Sequence, residues 1–281
     1  MQRGRESQTS VFVAVGRAIA HGTTSAAGFA DPTAMALLPE EARASVERFR
    51  AGPPRGLRGR FGHVFMDRRS KMMVARTVAI DGAIRERPAP QLVILGAGLD
   101  GRAWRMAELG DTVVFEVDHP DTQREKRARA AALTPAARDI RFVPVDFTRD
   151  DLAAALAHAG HDAARPTVWI WEGVVMYLTA SEIDATLAVV RQRSAAGSRL
   201  VVAYHSPALL LAVVALFVRR LGEPLRSVHT PETMQRLLAG NGFEVVRDQD
   251  VRSIGDALGP EVAEATRVMK HLRIVVADHD Q

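Results

Sequence analysis

Two rhythms of apolar and polar residues divide the chain. Up to about residue 85 the apolar positions recur at helical spacing, with Val11, Val15, Ala18 and Ile19 on one face. Met73, Val74, Thr77, Val78 and Asp81 repeat the pattern later, before the Pro-containing stretch RERPAPQ breaks it. Between the two lies GPPRGLRGRFG, residues 52–62, whose Gly and Pro content predicts a basic loop. From residue 91 onward short apolar runs alternate with helical patterns, as expected of β-α-β units around a mostly parallel sheet. The spacing predicts strands at 91–96, 113–118, 141–145, 167–172, 199–205, 243–248 and 271–277. Helices are predicted at 120–133, 149–160, 180–195 and 231–241. The last two are entered by TASE and TPET, where Thr179 and Thr230 are placed to cap the first turn. The reading is an α/β protein: an N-terminal helical cap over 1–85, then a core of seven strands in one open sheet over 86–281.

Between the fifth and sixth predicted strands lies an insertion, residues 206–230. It contains the most apolar stretch of the chain, PALLLAVVALFV, followed by RRLGEPLRSVH. About twelve apolar residues fall short of the roughly twenty that a membrane span needs, so no membrane partner is expected. Leaving the carboxyl end of a strand, where open α/β sheets bind their ligands, the insertion is a candidate lid. An additional core or dimer helix is the competing reading.

Composition narrows the chemistry. Apolar residues make up 47% and charged residues 25%, the balance of a folded globular chain. Cysteine is absent, which excludes disulfides, thiolate nucleophiles and cysteine-ligated metal centres, and no metal site is expected. The polar start MQRGRESQTS makes a poor signal peptide, so the cytoplasm is the expected compartment. Net charge is +4, yet residues 43–76 hold ten Arg or Lys against Glu47 and Asp67, leaving the remainder near −4. Such a segment suits an anionic partner, RNA among them, or simply a solvated surface.

The candidate site begins at QLVILGAGLDGRAWRM, residues 91–106, followed at 113–121 by VVFEVDHPD. A buried strand, a glycine turn, a helix and a second strand ending in acids form a nucleoside-cofactor pocket. In the turn Gly96-Ala97-Gly98 the glycines let a ligand approach the backbone closely. Asp118 is placed to accept from ribose hydroxyls, and Glu116, in the same strand, is the second choice. Gly96, Gly98 and Gly101 also satisfy G-x-G-x-x-G, so the turn by itself is equally compatible with a dinucleotide.

An ordered set of motifs arbitrates. SVFVAVGRA, DPTA at 31–34, ARTVAID at 75–81, LGAGLDGRAWR, FEVDHP, VPVDF, WIWEGVVMYLT and HTPETM…GF together resemble the leucine carboxyl methyltransferase family of S-adenosylmethionine-dependent enzymes. The resemblance extends to its bacterial members acting on small molecules and polyketide-like products. It implies a class I methyltransferase Rossmann-like fold and S-adenosyl-L-methionine as cofactor. It further implies that Asp146 and Phe147 recognise adenine, that Arg76 clasps the cofactor carboxylate, and that Glu172 lies near the methionine end. As the only carboxylate in an apolar run, Glu172 also demands a cationic partner. Gly101 departs from the Thr or Ser usual in the family, while Arg102 and Arg105 match. The amino-terminal lysine of the phosphatase-methylating members has no clear counterpart, which argues against a protein C-terminus as substrate.

The expected activity is methyl transfer to a carboxylate or hydroxyl oxygen of a small molecule, free or tethered to a carrier protein, in natural-product biosynthesis. A carboxylate is ionised at neutral pH and needs no base. A hydroxyl would need one, and His205, leaving the fifth strand beneath the candidate lid, is the best placed; His63 is a weaker choice. Trp169, Trp171, Met176 and Tyr204 could line a pocket for an apolar acceptor or belong to the core. Two other readings remain: an NAD-dependent oxidoreductase resting on the glycine pattern, and an RNA-modifying methyltransferase using the basic 43–76 segment. The acceptor and the oligomeric state are not legible from the sequence.

Overall fold

The computed structural model describes residues 8–147, 149–208 and 225–280. Most of the candidate lid, residues 209–224, therefore lies outside the described residues.

All seven predicted strands form, each with ends within two residues of the expected positions. They are β1 (Gln91–Leu95), β2 (Val113–Asp118), β3 (Asp139–Pro144), β4 (Thr167–Trp171), β5 (Ser198–His205), β6 (Glu244–Asp250) and β7 (Leu272–His279). They make one sheet in the order β3-β2-β1-β4-β5-β7-β6. Pairing from β3 through β5 is parallel, whereas β7 runs antiparallel between β5 and β6, with an irregularity between Val245 and Arg247. This is the seven-stranded, mostly parallel sheet of the class I methyltransferases. QLVIL and TVWIW are apolar at nearly every position because both faces of these strands are covered. Alternate side chains serve opposite sides: Leu92, Ile94 and Ile170 pack toward the N-terminal helices, and Val93, Leu95, Trp169 and Trp171 toward the other layer.

The N-terminal layer comprises α1 (Gln8–Ala20), α2 (Ala34–Leu37), α3 (Glu40–Arg50) and α4 (Leu57–Glu86). Here the predicted loop at 52–62 is corrected: only residues 51–56 link α3 to α4, and the helix runs for 30 residues through Gly59 and Gly62. Local glycine content is overridden by packing. A Cβ on Gly59 would stand 2.8 Å from Pro54 Cβ, so the missing side chain lets the linker fold back on the first turn. The far half of α4 buries Met73, Val74, Ile80 and Ile84.

The helices of the core are α5 (Arg102–Arg105), α6 (Pro120–Ala130), α7 (Leu152–His158), α8 (Ala180–Gln192), α9 (Pro231–Gly240), α10 (Val251–Asp256) and α11 (Pro260–Thr266). Thr179 and Glu182 form a reciprocal capping box on α8, and Thr230 caps α9, as the spacing predicts. The helix predicted at 149–160 starts three residues later, because Asp151 caps it through Ala154 N. α10 and α11 lie between β6 and β7 and were not anticipated, being only 6 and 7 residues long. Both pack on α4, tying the N-terminal layer to the end of the sheet.

Candidate active site

The direction of the strand order reverses between β1 and β4, and at that switch a cavity of about 700 Å3 opens above the carboxyl ends of β1 to β4. Each strand contributes the residues that follow it: Gly96 to Asp100 after β1, Asp118 and His119 after β2, Val145 to Phe147 after β3, Glu172 to Val174 after β4. Thr9, Ser10, Val13 and Arg17 of α1 form the opposite wall, with Arg76 of α4. Thus Arg76, Gly96, Ala97, Gly98, Asp118, Asp146, Phe147 and Glu172 all line one space.

The glycine turn is shaped for close approach. Gly96 and Gly98 have φ of +71° and +47°, a region that penalises any side chain. A Cβ on Gly96 would lie 2.2 Å from Val174 Cγ2, and one on Gly98 would lie 2.8 Å from Ser10 Cβ. Asp118 braces this turn: its carboxylate accepts from Gly98 N and, at 2.6 Å, from His119 N. Burial raises its pKa, and those two amides oppose the rise. Glu116 is not part of the cavity. It lies two residues before Asp118 in β2, fully buried in the core, with Lys126 Nζ of α6 at 2.7 Å and 2.8 Å from its two oxygens.

Glu172 has the cationic partners its apolar surroundings demand, and there are two. Arg102 Nη1 donates to Oε2 at 2.9 Å, and Arg76 Nε stands 2.6 Å from Oε1. The second contact is an ion pair without hydrogen-bond alignment, leaving Arg76 Nε and Glu172 Oε1 both buried with an open valence. Burial raises the Glu172 pKa, but Arg76 and Arg102 outweigh it and the net shift is downward.

The sequence reading missed a charge network behind this pair. Arg102 Nε donates to Asp81 at 2.7 Å, and its Nη1 also meets Asp100. Arg105 Nη1 donates to Asp81 at 2.6 Å, and Arg17 Nε donates to Asp31 at 2.8 Å. Four arginines and four acids thus alternate across α1, the 31–34 segment, α4, α5 and the end of β4. Burial opposes every charge here, yet Asp100 is held well below the usual carboxylate range, with Arg102 and Arg17 the largest opposing influences. The available signal was arginine at buried helical positions, Arg17 in a small-residue run and Arg102 and Arg105 one turn apart. Gly101 is explained by the same junction: a Cβ there would be 2.1 Å from Thr33 Oγ1, so Thr33 occupies the space a side chain at 101 would need.

Other expectations resolve as follows. His205 is not among the residues lining the cavity. Its ring stacks on His271 with centroids 5.5 Å apart, and its Nδ1 is buried without a partner. Burial, then His271, then Arg76 lower its pKa to about 4, so the imidazole is neutral at pH 7. His63 stacks on Phe49. Trp169 donates to Ser194 Oγ at 2.9 Å and Tyr204 to Asp248 at 2.6 Å; both are core, and the cavity is lined instead by Tyr177, Leu178 and Arg226. Arg226 N donates to Met176 O at 2.8 Å, which brings the described end of the insertion to the rim.

Comparison with known proteins matches the sequence profile of leucine carboxyl methyltransferases to residues 10–191. The chain belongs to the leucine carboxyl methyltransferase family. Relatives named as S-adenosyl-L-methionine-dependent methyltransferases include one from Streptomyces coelicolor, 35% identical over 61% of this chain and 62% of its own length. Another, from Mycolicibacterium vanbaalenii, is 43% identical over 50% of this chain and 47% of its own. The chain thus spans about half to three-fifths of the curated relatives it matches. The fold of this leucine carboxyl methyltransferase family member recurs in a DUF574 family protein from Streptomyces avermitilis (TM-score 0.59, 17% identity, 98% of each chain). It recurs too in a protein described as a methyltransferase from Thermobifida fusca (TM-score 0.58, 18% identity, 100% and 97% covered). Among the described residues no helix is long and apolar enough to cross a membrane.

Proposed function

We propose that this family member binds S-adenosyl-L-methionine in the cavity over β1 to β4 and methylates an oxygen of a small molecule. The observation that carries the reading is the buried Arg76 and Glu172 pair with one open valence on each side, set beside the glycine turn. A ligand end bearing both a carboxylate and an ammonium satisfies that pair; no other class of nucleoside cofactor offers both in one place. When bound, S-adenosyl-L-methionine supplies a methyl group on a cationic sulfur.

Arg76 receives the ligand carboxylate on its planar donor fork, and Glu172 the ammonium. Asp118 keeps lone pairs for ribose hydroxyls while its bonds to Gly98 N and His119 N fix its position. Asp146 and Phe147 offer an acceptor and an apolar wall to the base. α1, through Thr9, Ser10 and Val13, walls one side of the cavity, and exclusion of water with alignment of the reactants is the protein's main contribution to such a displacement. A dinucleotide fits poorly: the helix after the glycine turn has only four residues, a weak dipole for a pyrophosphate.

For the acceptor, a carboxylate is the favoured reading, because Arg226 at the rim offers it a cation and it requires no base. A hydroxyl acceptor is the second reading; because His205 does not line the cavity, the base it requires is not the histidine expected from the sequence. The acceptor is free or carrier-bound, in natural-product biosynthesis and in the cytoplasm. Calorimetric titration with S-adenosylhomocysteine, with NAD alongside, tests the cofactor. Binding of the first alone is expected, and preference for NAD refutes the reading. Transfer of labelled methyl to panels of carboxylic acids and of phenols then separates the two acceptors.

A further inference from the structure

The first three turns of α4 carry four of the seven large exposed apolar side chains among the described residues: Leu57 at 87%, Phe61 at 77%, Phe65 at 53% and Val64 at 50% exposure. At about 100° per residue these four fall within an arc of roughly 100° on one side of the helix. The other side is occupied: Gly59 meets Pro54, His63 stacks on Phe49, and Arg69 lies over the Phe12 ring. Leaving such a stripe in water is unfavourable unless something covers it.

The charges around the stripe identify the cover. Arg58 borders one edge and Arg60 the other, both exposed, and Arg68 lies on the arc one turn beyond, with Glu264 at 3.6 Å. An apolar stripe with arginines along its two flanks is the pattern of a helix lying in the headgroup layer of an anionic membrane. There the apolar side chains enter the acyl boundary and the guanidiniums reach phosphates. A second copy of the chain is disfavoured, since pairing this stripe with itself brings the same arginines face to face. RNA could stack on Phe61 and Phe65 but would leave the apolar Leu57 and Val64 beside them uncovered, so it is disfavoured.

We propose that this face of α4 is a docking surface for an anionic phospholipid bilayer, the helix lying in the interface without crossing it. The expectation of no membrane partner rested on span length, which does not bear on a helix of this kind. The same helix carries Arg76 to the cavity, eleven residues or about 16 Å beyond Phe65, so docking would place the cavity close to the lipid surface.

Co-sedimentation with phosphatidylcholine vesicles, with and without phosphatidylglycerol, tests this. The chain is expected to sediment with the anionic vesicles and to be released by salt. F61N/F65N should weaken binding about tenfold, and R58Q/R60Q should remove the preference for phosphatidylglycerol. Both variants should keep the wild-type melting temperature and S-adenosylhomocysteine affinity, which shows that the fold and the cavity are intact. Undiminished vesicle binding by F61N/F65N overturns the proposal, because another segment is then responsible. Absence of wild-type binding overturns it as well. So does an oligomer that F61N/F65N dissociates, or RNA binding in place of vesicle binding.

Discussion

At the scale of single residues, Arg76 and Glu172 are the positions where binding and stability separate. Arg102 still neutralises Glu172 when Arg76 is removed. Arg76→Ala is therefore expected to lower S-adenosylhomocysteine affinity by about tenfold or more while the protein stays folded, measured by calorimetry beside a melting curve. If Arg76→Ala and Asp118→Ala both bind like the wild type, the site assignment is wrong even though the family stands. Gly96 is more demanding, because both its φ and the 2.2 Å approach of Val174 oppose a side chain. Gly96→Ala should cost about 1–3 kcal/mol in chemical denaturation and impair binding. Gly101 differs: its φ of −109° is ordinary, and only Thr33 stands in the way. Gly101→Ser should be destabilising alone and be largely rescued by Thr33→Gly, whereas equal stability of Gly101→Ser in both backgrounds would show that the contact is not limiting.

Between elements, the parts of the core are joined by buried charge as well as by apolar packing. Glu116 of β2 and Lys126 of α6 are both about 1% exposed. Burial pushes the carboxyl pKa up, and Lys126 opposes it. Removing one partner strands the other, so Lys126→Met should destabilise by about 3–5 kcal/mol. The double variant Glu116→Leu/Lys126→Met should recover most of that in the same unfolding experiment. An equal loss in the double variant would mean that the Lys126 ammonium acts through its other contacts, the Trp104 ring 5.1 Å away among them. The same logic explains how α4 came to be misjudged. Its first turns contain Gly59 and Gly62 directly after Pro53, Pro54 and Gly56, so local composition predicts a loop. The helix persists because its remaining turns are anchored on α1, α10 and α11.

For the whole molecule, the buried histidines set the acid limit of stability. Burial, as the largest cause, lowers the pKa of His161 and His205 to about 4 and lowers those of His229 and His271 as well. A depressed folded pKa means stability that is complete above the unfolded value near 6.5 and is lost as pH falls toward 4. The melting temperature should fall by roughly 5 °C or more between pH 7 and pH 5. His205→Asn should flatten that slope; an unchanged slope in the variant would remove His205 from the account. The seven strands, their order of appearance and the caps of α8 and α9 were legible because runs of apolar residues and a threonine just before a helical first turn are local properties, as was the glycine turn with Asp118. Eight residues that line the cavity were nameable because motif order carried them. The sequence alone therefore determined the kind of sheet and the identity of the cavity's own residues. Only the tertiary structure decided that β7 inserts antiparallel between β5 and β6, that α1 walls the cavity, and that Arg17, Arg102 and Arg105 meet Asp31, Asp81 and Asp100 behind it. Those ion pairs and strand pairings join residues up to about eighty positions apart, and no periodicity in a linear chain records which distant charges will be buried together.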